Sequence, residues 1–173
     1  TGDKQDQFTC KRFGARPNFS YLKGSISHAQ PLANDWGMTA KLEGQLAGQP
    51  LISNEQFAVG GVESVHGYLE SEASGDHGLL GRVEVRTPTY ALAEEFVASD
   101  MTGVAFIEAA ELRLKDPLPG ESEKSHLLGA GIGARWKSKL GFSALLDLGW
   151  PFEATRNTQS GDVRAHFRLG YEF

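Results

Sequence analysis

The sequence has little of what several protein classes require. Cys10 is the only cysteine among the 173 residues, which excludes an internal disulfide and a zinc site built on paired thiols. No apolar run approaches the roughly 18 residues that a membrane helix needs, and no charged segment followed by an apolar one opens the chain as a signal peptide would. The 17 lysines and arginines are scattered in a chain of net charge −5, so nucleic acid is not an expected partner.

What the sequence does contain is alternation of apolar and polar residues. The stretch VRAHFRLGYEF at 163–173 places apolar side chains on one face and mostly charged ones on the other, which is the period of a β-strand. We predict an all-β protein with an antiparallel sheet of about eight strands in one domain, 1–173. The predicted strands cover 6–14 (weak), 18–29, 36–47, 78–88, 101–114, 126–136, 141–150 and 163–173.

The connections between the predicted strands alternate between long and short. The long ones are 51–77, 115–125 and 151–162, and shorter ones lie at 30–35 and 136–141. Only 87–100 breaks this order. Long loops at one end of an up-and-down sheet and short turns at the other are typical of bacterial outer-membrane barrels.

The alternation alone does not distinguish a soluble barrel or sandwich from a membrane barrel. Charges of both signs on the polar faces suit either a soluble surface or a water-filled lumen. Aromatic residues tend to end the apolar faces, as in the interfacial girdles of membrane barrels, and favour an antiparallel transmembrane β-barrel. These aromatic residues are Trp36, Trp136, Trp150, Tyr171 and Phe173.

A series of short motifs in a fixed order resembles the C-terminal barrel of the hemolysin-activator and filamentous-hemagglutinin transporter family. These proteins are the B components of two-partner secretion and are related to the outer-membrane assembly factor BamA. The matching residues are Gly44-Gln45, Ala47, Glu55-Gln56-Phe57, Gly60-Gly61, Val65, Gly67-Tyr68, Gly75-Asp76, Gly78, 84–88, Phe106-Ile107-Glu108, Gly129, Gly131, Gly133 and Phe173.

The resemblance implies an outer-membrane barrel of sixteen strands, preceded by periplasmic POTRA domains, of which this chain would form the second half. Such a barrel exports an unfolded adhesin or hemolysin, without catalysis and without a cofactor. The implied partners are the secreted polypeptide, outer-membrane lipid and the barrel-assembly machinery during biogenesis. The alternative is a barrel that assembles or inserts other proteins, or has a structural role. Eight strands alone would enclose an interior filled by side chains, too narrow for a polypeptide.

The resemblance also implies that the loop 51–77 folds into the lumen, with Gly60 and Gly61 permitting a tight return. Its tip motif would be Val65, His66, Gly67 and Tyr68. The family carries arginine at the position of His66, paired with the acid of an F-x-D motif, whereas here the acid is Glu108. We expect a hydrogen bond between the shorter histidine and the longer glutamate, and a pKa of His66 raised by the carboxylate. Without the resemblance, His66 would be read as an ordinary surface histidine.

The implied wall of the lumen comprises Phe106, Glu108, Gly129, Gly131, Gly133 and Arg135, with the glycines leaving room for the tip. Gly129, Gly131 and Ala134 also match a G-x-G-x-x-A nucleotide motif, but that motif requires a helix where the alternation continues. The histidines have no metal-ligand spacing, and no catalytic set is indicated, so we predict no metal site and no enzyme. Phe173 fits the terminal phenylalanine by which the assembly machinery recognises outer-membrane proteins.

Overall fold

The computed structural model describes residues 11–92 and 99–173, which form ten β-strands and two short 3₁₀ helices. Within these ranges no helix is long and apolar enough to cross a membrane. The 3₁₀ helices are Ala33–Asp35 and Ser53–Glu55. The strands are β1 Tyr21–Pro31, β2 Gly37–Ala47, β3 Phe57–Val59, β4 Ala73–Gly75, β5 His77–Arg86, β6 Tyr90–Leu92, β7 Ser99–Arg113, β8 Lys124–Ser138, β9 Phe142–Pro151 and β10 Arg164–Tyr171.

The main sheet is an antiparallel meander in the order β1-β2-β5-β7-β8-β9-β10, with the short β6 pairing with β7. β3 and β4 form a separate two-stranded sheet inside the long connection between β2 and β5. The predicted all-β class, antiparallel pairing and strand number of about eight are confirmed. The long meander strands follow the predicted segments because each has one apolar and one polar face, which fixes its register against its neighbours.

The weak first strand predicted at 6–14 is wrong for the residues that the structure describes, and 6–10 lie outside them. Residues 11–14 are helical and turn-like. Gly14 has a φ of 77°, which is incompatible with an extended strand. The eighth strand is β6, which lies in the connection 87–100 that broke the predicted alternation of loop lengths.

The two faces of the sheet have opposite chemistry. The face with the charged side chains of Lys41, Arg82, Glu108 and Asp147 is partly covered by the connection 51–77, and we call it the inner face. The other, outer face is apolar and uncovered, the reverse of a soluble protein with a buried apolar face. An uncovered apolar face of this extent fits contact with lipid. Its large exposed residues include Leu22, Ile26, Leu42, Leu46, Leu79, Val83, Ile107, Ile132, Leu146, Phe167 and Leu169.

The buried apolar core lies between the inner face and the connection 51–77. Val59, Val65 and Tyr68 of the connection contribute side chains that are at most 1% exposed. The sheet contributes Leu80, Ala110, Leu112 and Leu127. The connection is therefore packed as an integral part of the fold.

We expect a charge on the outer face to destabilise the membrane-inserted protein. Ile132 is 53% exposed there, and Ile132→Arg would place a guanidinium in hydrocarbon, at a cost of about 2–4 kcal/mol near the bilayer midplane. The matched control is Thr39→Arg on the inner face, where the register places Thr39 opposite Glu84. Urea resistance in lipid vesicles measures both, and equal losses for the two variants would contradict lipid contact at the outer face.

Candidate functional site

The segment 60–72, which we call the tip segment, turns back on itself above the inner face. Gly60 and Gly61 have φ values of 114° and 92°, a region that residues with a side chain rarely adopt. The Gly60 amide donates to Ser64 Oγ at 2.7 Å, and the Gly61 amide donates to the Val65 carbonyl at 3.1 Å. These two glycines therefore sit at the start of the return, where the sequence predicted them.

The two ends of the connection are joined by one buried carboxylate, that of Asp76. Its oxygens accept hydrogen bonds from the backbone amides of Leu51 and Lys115, both at 2.7 Å. Arg12 donates to both oxygens, at 2.5 and 2.7 Å, and also to the carbonyls of Leu51 and Lys115. We call these four residues the root clamp. It ties three separate stretches of chain to a side chain that is 0% exposed.

The return arm of the tip segment is attached to the connection between β9 and β10. The Glu72 carboxylate accepts hydrogen bonds from the hydroxyls of Thr155 at 2.5 Å and Thr158 at 3.1 Å. It also accepts from the amides of Leu69 and Asn157, both at 3.3 Å. Burial opposes ionisation, but these donors outweigh it and lower the pKa of Glu72.

The tip itself is centred on His66, which is 1% exposed. Its backbone amide donates to Glu108 Oε2 at 2.7 Å, and ring Nδ1 lies 3.0 Å from the same oxygen. Arg82 lies 2.7 Å from Glu108 Oε1 and its guanidinium stacks over the Phe106 ring at 4.9 Å. The Phe106 ring is also 4.5 Å from the His66 ring. The buried Glu108 carboxylate is thus surrounded by donors from β5 and the tip segment.

A second buried carboxylate, Asp147, lies on the other side of the His66 ring. Ring Nε2 is 3.3 Å from Asp147 Oδ2, an ion-pair distance without the angle of a hydrogen bond. Arg135 donates to both Asp147 oxygens, at 2.5 and 3.0 Å. Arg135 therefore acts on the tip through Asp147. Alternation places Asp147 on the polar face of its strand, but no motif marks it as a site residue.

The glycines of the wall divide into two groups. A Cβ on Gly129 would lie 2.7 Å from the His66 carbonyl oxygen, so this glycine receives the tip directly. Gly131 instead receives the Phe106 ring, and Gly133 receives the Asp147 carboxylate. Of the three wall glycines that we expected to make room for the tip, Gly129 lies against the tip itself, while Gly131 and Gly133 accommodate the side chains that touch His66.

The closest fit to the tip is made by a glycine that sequence reasoning missed. A Cβ on Gly149 would lie 2.6 Å from the Gly67 amide nitrogen and from His66 Cβ. Gly67, with a φ of 90°, is also closely packed, because a Cβ added there would lie 2.7 Å from the ring of Pro151. The only sequence signal for Gly149 was its place opposite the apolar residues of β9.

Beyond His66, two more contacts hold the tip. The Tyr68 hydroxyl lies 3.0 Å from the carbonyl oxygens of Leu128 and Glu153. Arg164 of β10 donates from Nε to the Gly67 carbonyl at 3.0 Å. Of the remaining predicted residues, Phe173 lies beyond β10, is fully exposed and is 6.5 Å from the Tyr171 ring. Its role as an assembly signal stays a prediction.

The environment of His66 favours its cationic form. Burial opposes protonation, but the carboxylates of Asp147 and Glu108 outweigh burial and raise the pKa of His66 above its ordinary value of 6.5. A cationic imidazole has two N–H groups and can donate toward a carboxylate on each side. The arrangement therefore holds the tip by charge as well as by shape.

We expect His66 and Glu108 to be energetically coupled. In a double-mutant cycle, His66→Ala and Glu108→Gln should show a coupling free energy of about 1–3 kcal/mol, because each removes the partner of a buried charged group. Hydrogen exchange of the segment 62–70 measures the opening free energy of the tip. As a control, Glu70→Gln with His66→Ala should be additive, since Glu70 is exposed and accepts from the Val62 amide. Additivity in both cycles would exclude the coupling.

We expect Asp76→Asn to loosen the root clamp strongly. An amide leaves Arg12 without its countercharge and turns an N–H group toward other donors, which costs about 3–5 kcal/mol for a broken buried pair. The exposed Asp116 on the adjacent connection supplies the control, because Asp116→Asn should change stability by less than about 0.5 kcal/mol. Urea unfolding in lipid vesicles compares the two, and a wild-type midpoint for Asp76→Asn would refute the clamp.

Comparison with known proteins finds similarity both in sequence and in structure. The chain is 26% identical over 160 residues to the outer membrane transporter CdiB of Dickeya dadantii strain 3937, covering 91% of this chain and 27% of that protein. The structure of CdiB from Escherichia coli matches with a TM-score of 0.74 at 21% identity, over 89% of this chain and 28% of that one. CdiB from Acinetobacter baumannii matches with a TM-score of 0.62 at 20% identity, over 87% of this chain and 27% of that one.

These matches establish the fold of the sheet as that of part of CdiB, and the chain spans roughly a quarter of the length of these relatives. A family model described as haemolysin secretion/activation protein ShlB/FhaC/HecB matches residues 2–136. This range contains the tip segment, its turn glycines and the F-x-E motif of the wall. The resemblance predicted from the sequence is confirmed: the chain belongs to the ShlB/FhaC/HecB family of haemolysin secretion/activation proteins.

Proposed function

We propose that this chain forms the C-terminal portion of the barrel of an outer-membrane transporter that exports an unfolded polypeptide in two-partner secretion. Membership of a haemolysin secretion family and similarity to an outer membrane transporter support this function and location. Among the described residues β1 and β10 each pair with one neighbour. A closed lumen therefore needs strands in addition to those described.

One observation carries the proposal. The tip segment lies buried on the charged inner face, while the outer face of the same sheet is apolar and exposed. In a closed barrel this arrangement puts the apolar face toward lipid and the tip segment inside the water-filled lumen. The tip segment then occupies part of the path that an exported polypeptide takes.

The mechanism that fits this geometry is passive conduction. Where the structure describes it, the inner face carries charges of both signs, including the pairs Lys41 with Glu43 at 2.5 Å and Arg82 with Glu84 at 2.7 Å, so the proposed path is not lined by charge of one sign. The protein needs no catalysis for this role. Its partners are the exported polypeptide, lipid at the outer face and the barrel-assembly machinery, which would recognise Phe173 during biogenesis.

The experiment that tests the function is deletion of the gene for the complete transporter, followed by analysis of the medium and the outer membrane. We expect one large polypeptide to disappear from the medium while the set of outer-membrane proteins is unchanged. Loss of outer-membrane proteins with the medium unchanged would instead favour a barrel that assembles or inserts other proteins.

We further expect Gly149→Ala to increase the ionic conductance of the complete transporter in planar bilayers. The added methyl group would lie 2.6 Å from the Gly67 amide nitrogen and displace the tip from the wall, widening the path. The matched control is Gly24→Ala in β1, where an added Cβ meets nothing within 4 Å and conductance should stay at the wild-type value. Equal conductance of the two variants would show that the docked tip does not obstruct the lumen.

A further inference from the structure

The ring of His66 faces a carboxylate at each of its nitrogens. Nδ1 lies 3.0 Å from Glu108 Oε2, and Nε2 lies 3.3 Å from Asp147 Oδ2. A neutral imidazole carries one N–H and one lone pair. It can therefore donate to only one of these carboxylates and has no charge to pair with the other, whereas the cation donates to Glu108 and also lies at ion-pair distance from Asp147.

The other charged groups nearby do not remove the need for a cationic ring at His66. Each carboxylate already has one arginine, since Arg82 lies 2.7 Å from Glu108 and Arg135 lies 2.5 Å from Asp147. On the tip segment, Glu63 pairs with Arg168 and Glu70 accepts from the Val62 amide. The charged and titratable groups of the wall around the tip are Arg82 of β5, Glu108 of β7, Arg135 of β8, Asp147 of β9, and Arg164 and His166 of β10.

A second histidine, His166 of β10, lies beside His66, so the two rings compete for a proton. The His166 ring packs edge-on against the His66 ring at 5.2 Å, and its Nε2 is buried without a hydrogen-bond partner among the described residues. Two cationic imidazoles this close would repel each other. His66, with two carboxylates beside it, is therefore the ring that carries the proton.

We propose that protonation of His66 sets how firmly the tip segment is held in the lumen, so that the tip is released as the pH rises. The consequence for transport rests on the proposed function, but the release itself does not. The attachments of the segment away from the tip are made by a guanidinium, carboxylates, hydroxyls and backbone groups, as at Asp76 and Glu72, and none of them is an imidazole. The root clamp and Glu72 thus keep the arms of the segment in place while the tip moves.

The direction follows from the raised pKa of His66. A group whose pKa is higher in the docked state contributes stability below its undocked pKa, about 6.5 for histidine, and loses it as pH rises through the docked value. The docked tip is therefore most stable under mildly acidic conditions. The hydrogen bond from the His66 backbone amide to Glu108 does not depend on the charge of the ring, so loss of the ring proton weakens the docked tip by one part of its contacts.

The test measures exposure of the tip directly. Val65 is 0% exposed in the docked tip, and Val65→Cys in a cysteine-free version of the complete transporter reacts with a bulky maleimide only when the tip is released. The labelling rate is measured in membranes at about pH 6 and about pH 8.5, on either side of the range in which histidine titrates. His66→Arg with the same cysteine is the matched control, because it shares the thiol chemistry and keeps its charge at both pH values.

We expect the labelling rate of the histidine form, divided by that of His66→Arg, to rise about tenfold between the two pH values, as for loss of one charged hydrogen bond. His66→Gln, which stays neutral, should label rapidly at both. A constant ratio overturns the inference. If His66→Arg fails to insert, the histidine form is compared with His66→Gln at the lower pH. Equal labelling rates of these two forms would also overturn the inference. The labelling assay contains no exported polypeptide. Its result therefore does not depend on whether the proposed function is correct.

Discussion

The buried carboxylate of Glu108 is the constraint on which the arrangement of the inner face depends. A carboxylate with 1% exposure is stable only when donors replace the water that it has lost. Here the donors come from Arg82 on the adjacent strand and from the backbone and ring of His66. The strand partner is supplied by the sheet register, in which Arg82 stands opposite Glu108. The other donors require that a distant segment fold down onto the wall.

Asp147 is a second buried carboxylate on the same face, and it too requires donors. The register places it between Gly133 of β8 and His166 of β10, and Gly133 leaves the space that its carboxylate occupies. Each acid thus has an arginine from a neighbouring strand, and His66 stands between them. Because the strands fix the two acids rigidly, the tip segment must present one side chain with polar atoms at both ends. A histidine ring meets that requirement, with Gly129 and Gly149 allowing its backbone to approach.

Much of the fold could be predicted because apolar and polar residues alternate along each strand according to what each face of the strand contacts. The pattern located β2, β8, β9 and β10 closely, since their apolar faces are continuous. It could not locate β6, whose three residues are too few to show a period. In the described residues 11–14, the weak first strand failed because local alternation there competes with the attachment of Arg12 to Asp76, a contact 64 residues apart in sequence. For the site, the family motif predicts His66 and Glu108. Alternation places Asp147 and Gly149 on the polar face of β9, but they belong to no motif, and the register of β8 and β9 was needed to place them beside the tip.

The order of attachments along the loop explains how one segment can be both firmly placed and adjustable. At the root, Asp76 gathers charged and backbone donors from three stretches of chain, and on the return arm Glu72 binds the neighbouring connection. Both attachments lie outside the contacts between His66 and the wall. At the tip, Gly129 and Gly149 allow the backbone to approach the wall, and the imidazole of His66 provides the charge. Because the root is fixed by a carboxylate, a guanidinium and backbone amides that do not contact His66, a change at the imidazole alters the contact with the wall while the loop stays attached to the barrel end.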